Sequence, residues 1–412
     1  MNQTVSAVSG NPASIRPGSP ELERLLDLIA ADASRRDQER IHPYDVVEIL
    51  GRARLGALRL PVEEGGGGGS LRDVIGLALR LAEADTNVAH IYRNHFTFVE
   101  RFLIGEVSGN VGAQRKVWRD AVLNGAVFGL ASTELDRKQT GGASDFNTTL
   151  TEDGDGYRLN GTKYYSTGTL YADWLLVRAT ATGSRPVSIV IPTGREGIER
   201  VDDWDGIGQR VTGTGTTNFH NVRIEADEVI FDKQNPSFLL PYTSTIAQIF
   251  VTAVNAGVIR AVLRDAKALL KSRNRTFYFA AADKTVDDPL LLQTIGRIAS
   301  DAFATELVVL AAADALDKVA EARLGGQGLD ELAHDAAIAS AKAKVIVDEL
   351  SLRSATALFD VGGASAATQR KNLDRHWRNA RTLSSHNPAS YKAQAIGGYE
   401  INGTRLPTLG FF

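Results

Sequence analysis

The spacing of apolar residues changes twice along the 412-residue chain, and this change constrains the fold more than any single motif does. Apolar residues recur at the helical interval in residues 19–125, alternate in short runs in residues 126–235, and return to the helical interval in residues 236–412. Residues 1–18 show neither pattern and are predicted to be a disordered leader. The order predicts an α+β protein with an N-terminal helical domain, a middle β domain and a C-terminal helical bundle with a tail.

Helix signals fill the first of these blocks. Ser19 and Pro20 supply an N-cap and a proline in the first turn, and apolar residues then follow at helical spacing. The glycine run at residues 65–69 cannot sustain a helix and divides the block. Further helices are predicted at residues 44–54, 71–85, 87–104 and 112–122.

The middle block places turn residues between short apolar runs. Residues 156–165 form one such run, in which Asn160-Gly161 favours a type I′ hairpin turn. Six or more strands with little helix between them indicate a compact antiparallel β-barrel or sandwich. Further strands are predicted at residues 174–180, 187–192 and 216–224.

Long helices dominate the last block. Apolar residues after Pro241 line one helical face as far as about Ala281, and Asp288 with Pro289 then caps the next helix. That helix and a further one at residues 331–359 are rich in Ala, Leu and Val, so their surfaces can approach closely. We therefore expect a four-helix bundle that also supplies the interface of a homo-oligomer.

Composition excludes several classes of function. The 46 basic and 49 acidic residues leave a net charge of −3, so no overall field attracts nucleic acid or an anionic membrane. The absence of cysteine excludes thiolate metal sites and cysteine nucleophiles, and no metal site is predicted. No secretory signal is visible at the N-terminus, and no apolar run approaches the roughly 18 to 20 residues of a membrane span, so we expect a cytoplasmic protein.

Two motifs in the middle block carry a resemblance to a known family. Leu130-Ala-Ser-Thr-Glu134, followed by Gly142-Ala-Ser-Asp145, resembles the Thr-Glu-Pro and Gly-Ser-Asp stretches of the acyl-CoA dehydrogenases, although Leu135 replaces the proline and the spacer is longer. Leu159-Asn-Gly-Thr-Lys-Tyr-Tyr-Ser-Thr-Gly168 parallels the Asn-Gly-x-Lys-x-Trp-Ile-Thr strand of the same family. The resemblance implies the acyl-CoA dehydrogenase fold, with its helical, β-barrel and four-helix domains.

The same resemblance implies flavin contacts. By it, Leu130, Ser132 and Thr133 contact the flavin, Tyr165 packs against the ring system, and Thr167 hydrogen-bonds the N5/O4 edge. This suits the general need of a flat apolar ring for an aromatic wall and a few fixed polar groups. The alternative is a surface hairpin with chance aromatic residues.

The residues that a dehydrogenase needs are missing. Such an enzyme removes an α-proton with a carboxylate supplied either by the first bundle helix or by the segment after the last one. Residues 235–264 contain no Asp or Glu, and residues 376–399 contain none either. The sequence therefore argues against acyl-CoA dehydrogenation.

A second resemblance indicates oxygen chemistry instead. The segment Asn372-Leu-Asp-Arg-His-Trp-Arg-Asn-Ala-Arg-Thr-Leu-Ser-Ser-His-Asn-Pro388 is similar to the Asp-Arg-x-Trp-Arg-Asn-x-Arg-Thr and His-Asp-Pro stretches of dibenzothiophene monooxygenases and sulfur-acquisition oxidoreductases. Residues 202–210 and 89–96 agree with the same group. The chain thus resembles the flavin-dependent monooxygenase branch of the acyl-CoA dehydrogenase superfamily.

This branch implies roles for five further residues. His386 is the first candidate for a neutral imidazole that donates to a C4a-hydroperoxyflavin, and His95 is the second. Trp204, His95 and Phe96 would contact substrate, and Arg275 would hold the flavin phosphate across a subunit boundary. A buried structural role is the alternative for His95 and for Trp204. His376, between two arginines, is open to either interpretation.

The resemblance also implies cofactor, partners and reaction. It favours FMN over FAD, because residues 361–365 lack a complete Gly-Gly-x-Gly site for an adenine group. Reduced FMN would come from a separate NAD(P)H-dependent flavin reductase, since the chain has no dinucleotide-binding motif. With O2, a homotetramer would oxygenate a small apolar substrate, such as an organosulfur compound. The rival hypotheses are an acyl-CoA dehydrogenase or oxidase and a non-catalytic flavin-binding scaffold.

Overall fold

A computed structural model describes residues 15–104, 111–135, 146–183, 185–231, 242–325, 328–408 and 412. Most of the predicted leader lies outside these residues, as does the second half of the first flavin motif at residues 142–145. In the described parts, helices, strands and helices follow one another in the predicted order. This order confirms the predicted α+β fold class.

The described N-terminal block contains five α-helices. Ser19 caps the first of them as predicted, because its Oγ accepts a hydrogen bond from Leu22 N at 3.2 Å. Asp85 caps the fourth by accepting from Asn87 N at 2.9 Å. The helices are α1 (Pro20–Glu39), α2 (Tyr44–Arg52), α3 (Leu71–Ala84), α4 (Thr86–Phe98), which continues as a π-helical segment (Val99–Ile104), and α5 (Val111–Leu123).

Eight strands of the described residues form one sheet in the middle of the chain. They are β1 (Phe128–Ala131), β2 (Thr149–Asp153), β3 (Gly156–Lys163), β4 (Trp174–Ala181), β5 (Arg185–Pro192), β6 (Ile198–Val201), β7 (Thr216–Ile224) and β8 (Val229–Phe231). Their order is β6-β7-β3-β2-β4-β5-β8, with β1 paired to β4 off this path. Both β1 and β2 run parallel to β4, so the expectation of a wholly antiparallel sheet was wrong.

The turn predicted at Asn160-Gly161 was also wrong. β3 runs straight through both residues, and its register with β7 shifts between Leu159 and Gly161. Gly161 has a φ of 149°, and a Cβ there would lie 2.5 Å from Thr148 Oγ1. The dipeptide therefore marks a β-bulge, where close backbone approach requires glycine. The hairpin turn of β2 and β3 lies at residues 154–155 instead.

Long helices form the C-terminal block. Asp288 caps the second of them as predicted, because its Oδ1 accepts from Leu290 N at 2.9 Å. A Cβ at Gly257 would lie 2.6 Å from Leu79 O, so glycine lets the first bundle helix approach α3 closely. The helices are α6 (Thr245–Ser272), α7 (Pro289–Gly325), α8 (Leu329–Gly362), α9 (Asp374–Ser384) and α10 (Ala389–Asn402).

The central helix of this block corrects one expectation. By length and composition alone, α6 could cross a membrane, with a mean hydropathy of 1.8 over its most apolar window. That window is 83% buried inside the protein. Ile249, Phe250 and Val254 of α6 belong to the main hydrophobic core together with side chains of α3, α7 and α8. The apolar run therefore reflects a core helix that is covered on nearly all sides.

Candidate active site

The three blocks meet around a cavity of about 780 Å³. Its walls come from α4, from β1 and the segments that follow β1 and β3, from the loop between β6 and β7, and from the start of α6 and the end of α9. Most of the residues singled out in the sequence line it: Leu130, Ser132, Thr133, Tyr165, Thr167, Trp204 and His386. Residues far apart in sequence are thus brought to one chamber.

One face of α4 supplies the polar wall of this chamber. His90, Arg93, Asn94 and Thr97 follow at intervals of three and four residues, so they share one side of the helix, and Arg101 extends the row. The rest of α4 is buried in the core. A polar row on an otherwise buried helix must face either a partner or a cavity, and here it faces the cavity.

A buried ion pair joins the two flavin-type motifs. Lys163 Nζ lies 2.7 Å from Glu134 Oε1, and both side chains are almost fully buried. Burial alone would raise the pKa of Glu134, but hydrogen bonds from Lys163 and Thr148 outweigh it and keep the pKa below its ordinary value. Tyr164 N also donates to Thr133 O at 2.8 Å. Glu134 therefore fixes the end of β1 against β3 and is not available as a base.

Two aromatic residues lie next to each other in the cavity wall. Tyr165 is 57% exposed and has a φ of 53°, an uncommon conformation for a bulky residue. Its ring meets that of Trp204 edge to face, with centroids 6.1 Å apart. Trp204 Nε1 donates to Gly208 O at 3.1 Å, and a Cβ at Gly206 would lie 2.1 Å from the indole ring. Glycine at position 206 is therefore required for the indole to keep this place.

Three threonine hydroxyls form a chain that ends at Thr167. Thr212 Oγ1 donates to Gln209 O at 2.9 Å and lies 2.8 Å from Thr214 Oγ1, which lies 2.8 Å from Thr167 Oγ1. Each hydroxyl has one hydrogen, so Thr214 must donate to Thr212, and Thr167 must donate to Thr214. The Thr167 oxygen is left as a hydrogen-bond acceptor. Asn94 holds the backbone of Thr167 by donating to its carbonyl oxygen at 3.0 Å.

His386 and Arg93 also line the cavity and contact each other. Arg93 Nη1 lies 2.8 Å from His386 Nε2. Because a guanidinium group only donates, Nε2 must accept, which places the imidazole hydrogen on Nδ1. Burial, followed by the charge of Arg93, holds the pKa of His386 well below its ordinary value. The imidazole is therefore neutral, as expected, but it accepts from Arg93 where sequence reasoning expected it to donate into the cavity.

The second ring nitrogen of His386 faces a side-chain amide. Nδ1 lies 3.2 Å from the amide of Asn387, which in turn lies 2.7 Å from Gln248. Donors and acceptors match throughout when Asn387 turns its oxygen to Nδ1–H and Gln248 donates to that same oxygen. This arrangement fixes the tautomer of His386 from behind.

The structure does not bring His95 or Phe96 to the cavity. His95 is fully buried, with Nε2 3.0 Å from Gly56 O, and its Nδ1 accepts from Phe128 N at 3.2 Å. Both ring nitrogens are used, and burial lowers the pKa of His95 to about 4. Phe96 stacks on Phe250 in the core. Position 95 is rotated by about 140° from the His90 side of the helix, which explains the misplacement.

Two further residues lie away from the cavity. Arg275 is exposed in the segment between α6 and α7, and its contact with a flavin phosphate across a subunit boundary stays a prediction. His376 is buried with Nε2 2.8 Å from Asp265, and Arg375 also binds that carboxylate. His376 thus belongs to an ion-pair network within the bundle.

The described lining of the cavity contains three arginines and no Asp or Glu. Proton abstraction from a substrate carbon needs a base within hydrogen-bonding reach of that proton. Glu134, the carboxylate of the first flavin-type motif, is already bound to Lys163. The geometry therefore supports the sequence argument against dehydrogenation.

Comparison with known families agrees with this architecture. Residues 129–222 match the family described as "Acyl-CoA dehydrogenase, middle domain", and residues 249–391 match "Acyl-CoA dehydrogenase, C-terminal domain". The chain is 30% identical over 386 residues to a dibenzothiophene monooxygenase of Mycolicibacterium goodii, with 88% of each chain covered. The protein belongs to the flavin-dependent monooxygenase branch of the acyl-CoA dehydrogenase superfamily.

Other members of this monooxygenase branch are similar over nearly the whole chain. A probable FMNH2-dependent monooxygenase, SfnC of Pseudomonas putida, is 27% identical, with 96% of this chain and 98% of the relative covered. The structure of methanesulfinate monooxygenase MsuC from Pseudomonas fluorescens is 25% identical with a TM-score of 0.84, covering 96% and 100% of the two chains. FMN-bound TdsC from Paenibacillus sp. A11-2 is 26% identical, with the same TM-score and coverage of 95% and 98%.

Sequence reasoning missed several residues of this site. Arg93, Asn94, Gln209 and Thr214 line the cavity, and none of them was singled out. A signal for the first two was present, because they share the helical spacing of His90 within a segment of otherwise buried residues. No comparable signal marks Gln209 and Thr214, whose loop has no regular period.

Proposed function

We propose that the protein is a two-component monooxygenase that binds reduced FMN, delivered by a separate NAD(P)H-dependent flavin reductase, and uses O2 to oxygenate a small substrate. Each turnover consumes substrate, O2 and FMNH2 and yields the oxygenated substrate, FMN and water. The observation that carries the proposal is the cavity in which Tyr165, Thr167 and His386 meet without a carboxylate among its described lining residues. Relatives named for FMN and for monooxygenation support it.

The residues present fit a flavin. Tyr165 and Trp204 offer aromatic surface for the ring system, with Leu130 as a further apolar wall. Polar atoms of the lining are buried without a protein partner, among them His90 Nε2 and Gln209 Nε2. His90 Nδ1 lies 3.0 Å from Gln209 Oε1 and donates to it, so its Nε2 is an acceptor, while Gln209 Nε2 is a donor. Such atoms suit the alternating donors and acceptors at the edge of a flavin ring.

The hydroxyl chain gives this site a preference for reduced FMN. Bound flavin supplies the two-electron activation of O2 that no side chain can provide. We assign Thr167 to the N5 edge of the ring, as the strand motif implies. Reduced flavin carries hydrogen on N5, and oxidised flavin does not, so an oxygen restricted to accepting favours the reduced form.

His386 and Arg93 form a further part of the cavity wall in this proposal. The neutral imidazole accepts from Arg93, and Asn387 fixes its tautomer. These contacts hold the guanidinium group at a set position beside the reacting centre. α4 and the start of α6 cover part of the chamber, and a flavin and substrate bound there would displace water that could otherwise react with activated oxygen.

The names of the relatives guide the substrate class. They specify dibenzothiophene and methanesulfinate, so an organosulfur substrate is the proposed class for this chain. The acyl-CoA dehydrogenase alternative lacks its base among the described lining residues. The scaffold alternative has no observation in its favour.

We further propose a cytoplasmic homotetramer. Phe277, Tyr278 and Phe279 are at least 60% exposed in the segment after α6, next to Arg275. Exposed aromatic clusters of this kind are typical of subunit interfaces. Burial against a second copy would also bring Arg275 to a neighbouring flavin phosphate. A cytoplasmic location would give access to the NAD(P)H that the flavin reductase needs.

The experiment is anaerobic titration of the purified protein with reduced FMN, followed by rapid mixing with O2. The proposal expects binding, a transient absorbance that differs from both oxidised and reduced FMN, and an oxygenated product from an organosulfur panel. Release of hydrogen peroxide alone, with no transient and no product, would contradict it. Reduction of the bound flavin by butyryl-CoA would favour the dehydrogenase alternative.

A further inference from the structure

Arg93, unlike two other arginines of the N-terminal block, has no carboxylate partner among the residues that the structure describes. Arg36 pairs with Asp85 at 2.9 Å, and Arg59 pairs with Glu100 at 2.9 Å. Among the residues that the structure describes, no carboxylate lies within ion-pair distance of Arg93, which lines the cavity. A sequestered cation without a counter-charge is costly unless a ligand supplies one.

The surroundings of Arg93 reinforce this imbalance. Its one recorded side-chain partner is the neutral His386, and its Nε is buried without a hydrogen-bond partner. On the bundle side of His386, Lys344 is balanced by Asp348 at 2.6 Å, and the charge of Lys392 also acts on the imidazole. Burial lowers the pKa of Arg93 to about 10, so it remains a cation at neutral pH.

The position of Arg93 points to substrate binding. Its neighbour on α4, Asn94, donates to Thr167 O, and Arg93 itself contacts His386, so the guanidinium group lies near the proposed reacting edge of the flavin. In FMN the ribityl phosphate is attached at N10, across the central ring from N5, so with N5 at Thr167 the phosphate would lie away from Arg93. An anion at Arg93 would therefore belong to the substrate and not to the cofactor phosphate.

We infer that the substrate carries a small oxyanion, such as a sulfinate, sulfonate or carboxylate, which pairs with Arg93 while the rest of the molecule lies in the cavity. This inference rests on the proposed function and narrows its substrate class to anionic compounds, whereas the sequence alone predicted a small apolar substrate. A guanidinium group suits such an anion because it donates two parallel hydrogen bonds to a pair of oxygens.

The test is calorimetric titration of the FMN-loaded protein with matched anionic and neutral probes. Methanesulfinate, benzenesulfinate and benzoate are the anions, and dimethyl sulfone is the neutral counterpart of methanesulfinate. At least one anion is expected to bind the wild-type protein more tightly than dimethyl sulfone. Arg93→Gln should weaken that anion by about ten-fold or more, and Arg93→Lys should weaken it less.

Controls separate this inference from general damage and from the proposed function. Arg24→Gln removes an exposed arginine of α1 and should leave the affinity for the anion unchanged. The ratio of FMN to riboflavin affinity should be the same in wild type and in Arg93→Gln, which also reports that the variant is folded.

Three results would overturn the inference. They are failure of every anion to bind the wild type, equal anion affinity in Arg93→Gln, and loss of the preference for FMN over riboflavin in that variant. In each case the proposed function would stand if reduced FMN still bound and supported oxygenation of a neutral compound. If FMN itself did not bind, the proposed function would fail first.

Discussion

At the scale of single residues, the hydrogen-bond contacts decide whether a side chain donates or accepts, which the identity of the residue alone does not. Thr167 could donate or accept, and only the contacts among Thr212, Thr214 and Gln209 O restrict it to accepting. Sequence motifs predicted the presence of a hydroxyl at position 167. They could not predict that this hydroxyl acts as an acceptor, because Thr214 lies in an irregular loop that the fold brings beside Thr167.

Substitution of Thr214 tests this acceptor role. Thr214→Val leaves the Thr167 hydroxyl free to rotate and donate, so the preference for reduced over oxidised FMN should fall by about five-fold, the effect of one hydrogen bond near 1 kcal/mol. Fluorescence titrations with both forms of FMN, the reduced one under anaerobic conditions, measure the ratio. Thr214→Ser retains the hydroxyl and should retain the preference. If the ratio of the affinities for reduced and oxidised FMN were unchanged in Thr214→Val, the hydroxyl chain would not be the cause of the preference for reduced FMN.

The family resemblance predicted that both His386 and His95 lie at the site, and the structure places them differently. His386 lies in the cavity wall with its sequence neighbours, and its predicted role toward the flavin stays a prediction. For His95, local matching named the right helix and the wrong face. Helical geometry selects His90, Arg93 and Asn94 for the cavity and turns His95 toward Gly56 and Phe128.

At the scale of elements, β1 and β3 depend on one ion pair. Lys163 of β3 and Glu134 beyond β1 are buried together, and the carboxylate also binds the backbone N–H groups of Asn147 and Thr148. The pair thus ties the entry to β2 to both flavin-type strands. The sequence contained both residues in separate motifs, but their contact follows only from the pairing of the strands.

Removal of Lys163 should therefore destabilise the middle sheet. Lys163→Met leaves Glu134 buried and unpaired, and the free energy of unfolding should fall by roughly 3–5 kcal/mol in urea titrations. Adding Glu134→Gln should recover part of the loss. Lys342 and Glu400 provide a matched control, since they also lie 2.7 Å apart but are exposed. Lys342→Met should cost less than about 1 kcal/mol, and equal effects of the two lysine variants would contradict the assignment.

The strands were harder to predict from local sequence than the helices. The Asn160-Gly161 dipeptide has the composition of a hairpin turn, yet the close approach of Thr148 makes the glycine necessary for a bulge. Parallel pairing of β1 and β2 with β4 was equally hidden, because it depends on long-range connections. The α-helical blocks were easier to predict, since the apolar stripe of a helix is visible within a short window.

At the scale of the whole molecule, the proposed homotetramer predicts that a second copy of the chain completes the site. Phe279→Ser with Phe277→Ser would place hydroxyls where an apolar interface is expected, and sedimentation should then show smaller species than the tetramer expected for the wild type. If Arg275 reaches a flavin in the adjacent subunit, FMN affinity should fall in the same variant, while riboflavin affinity should change much less. A monomeric wild-type protein with full FMN affinity would contradict both statements.

Buried neutral histidines couple the stability of the entire fold to pH. Burial lowers the pKa of His90 to about 3 and that of His95 to about 4, so both lie below the value of about 6.5 expected in the unfolded chain. The unfolded state therefore binds protons first as pH falls, and the stability present above pH 6.5 is lost below it.

Protonation of each histidine should lower the free energy of unfolding by about 2 kcal/mol between pH 8 and pH 5, as measured in urea titrations. His95→Phe removes one titrating group, so its stability should be lower at pH 8 but should fall less steeply toward pH 5. Equal stability of the wild type at both pH values would contradict this prediction, because it would mean that these imidazoles are protonated in the folded state. For His95 the contacts oppose such protonation, since its Nδ1 accepts from Phe128 N and only its Nε2 can donate, to Gly56 O.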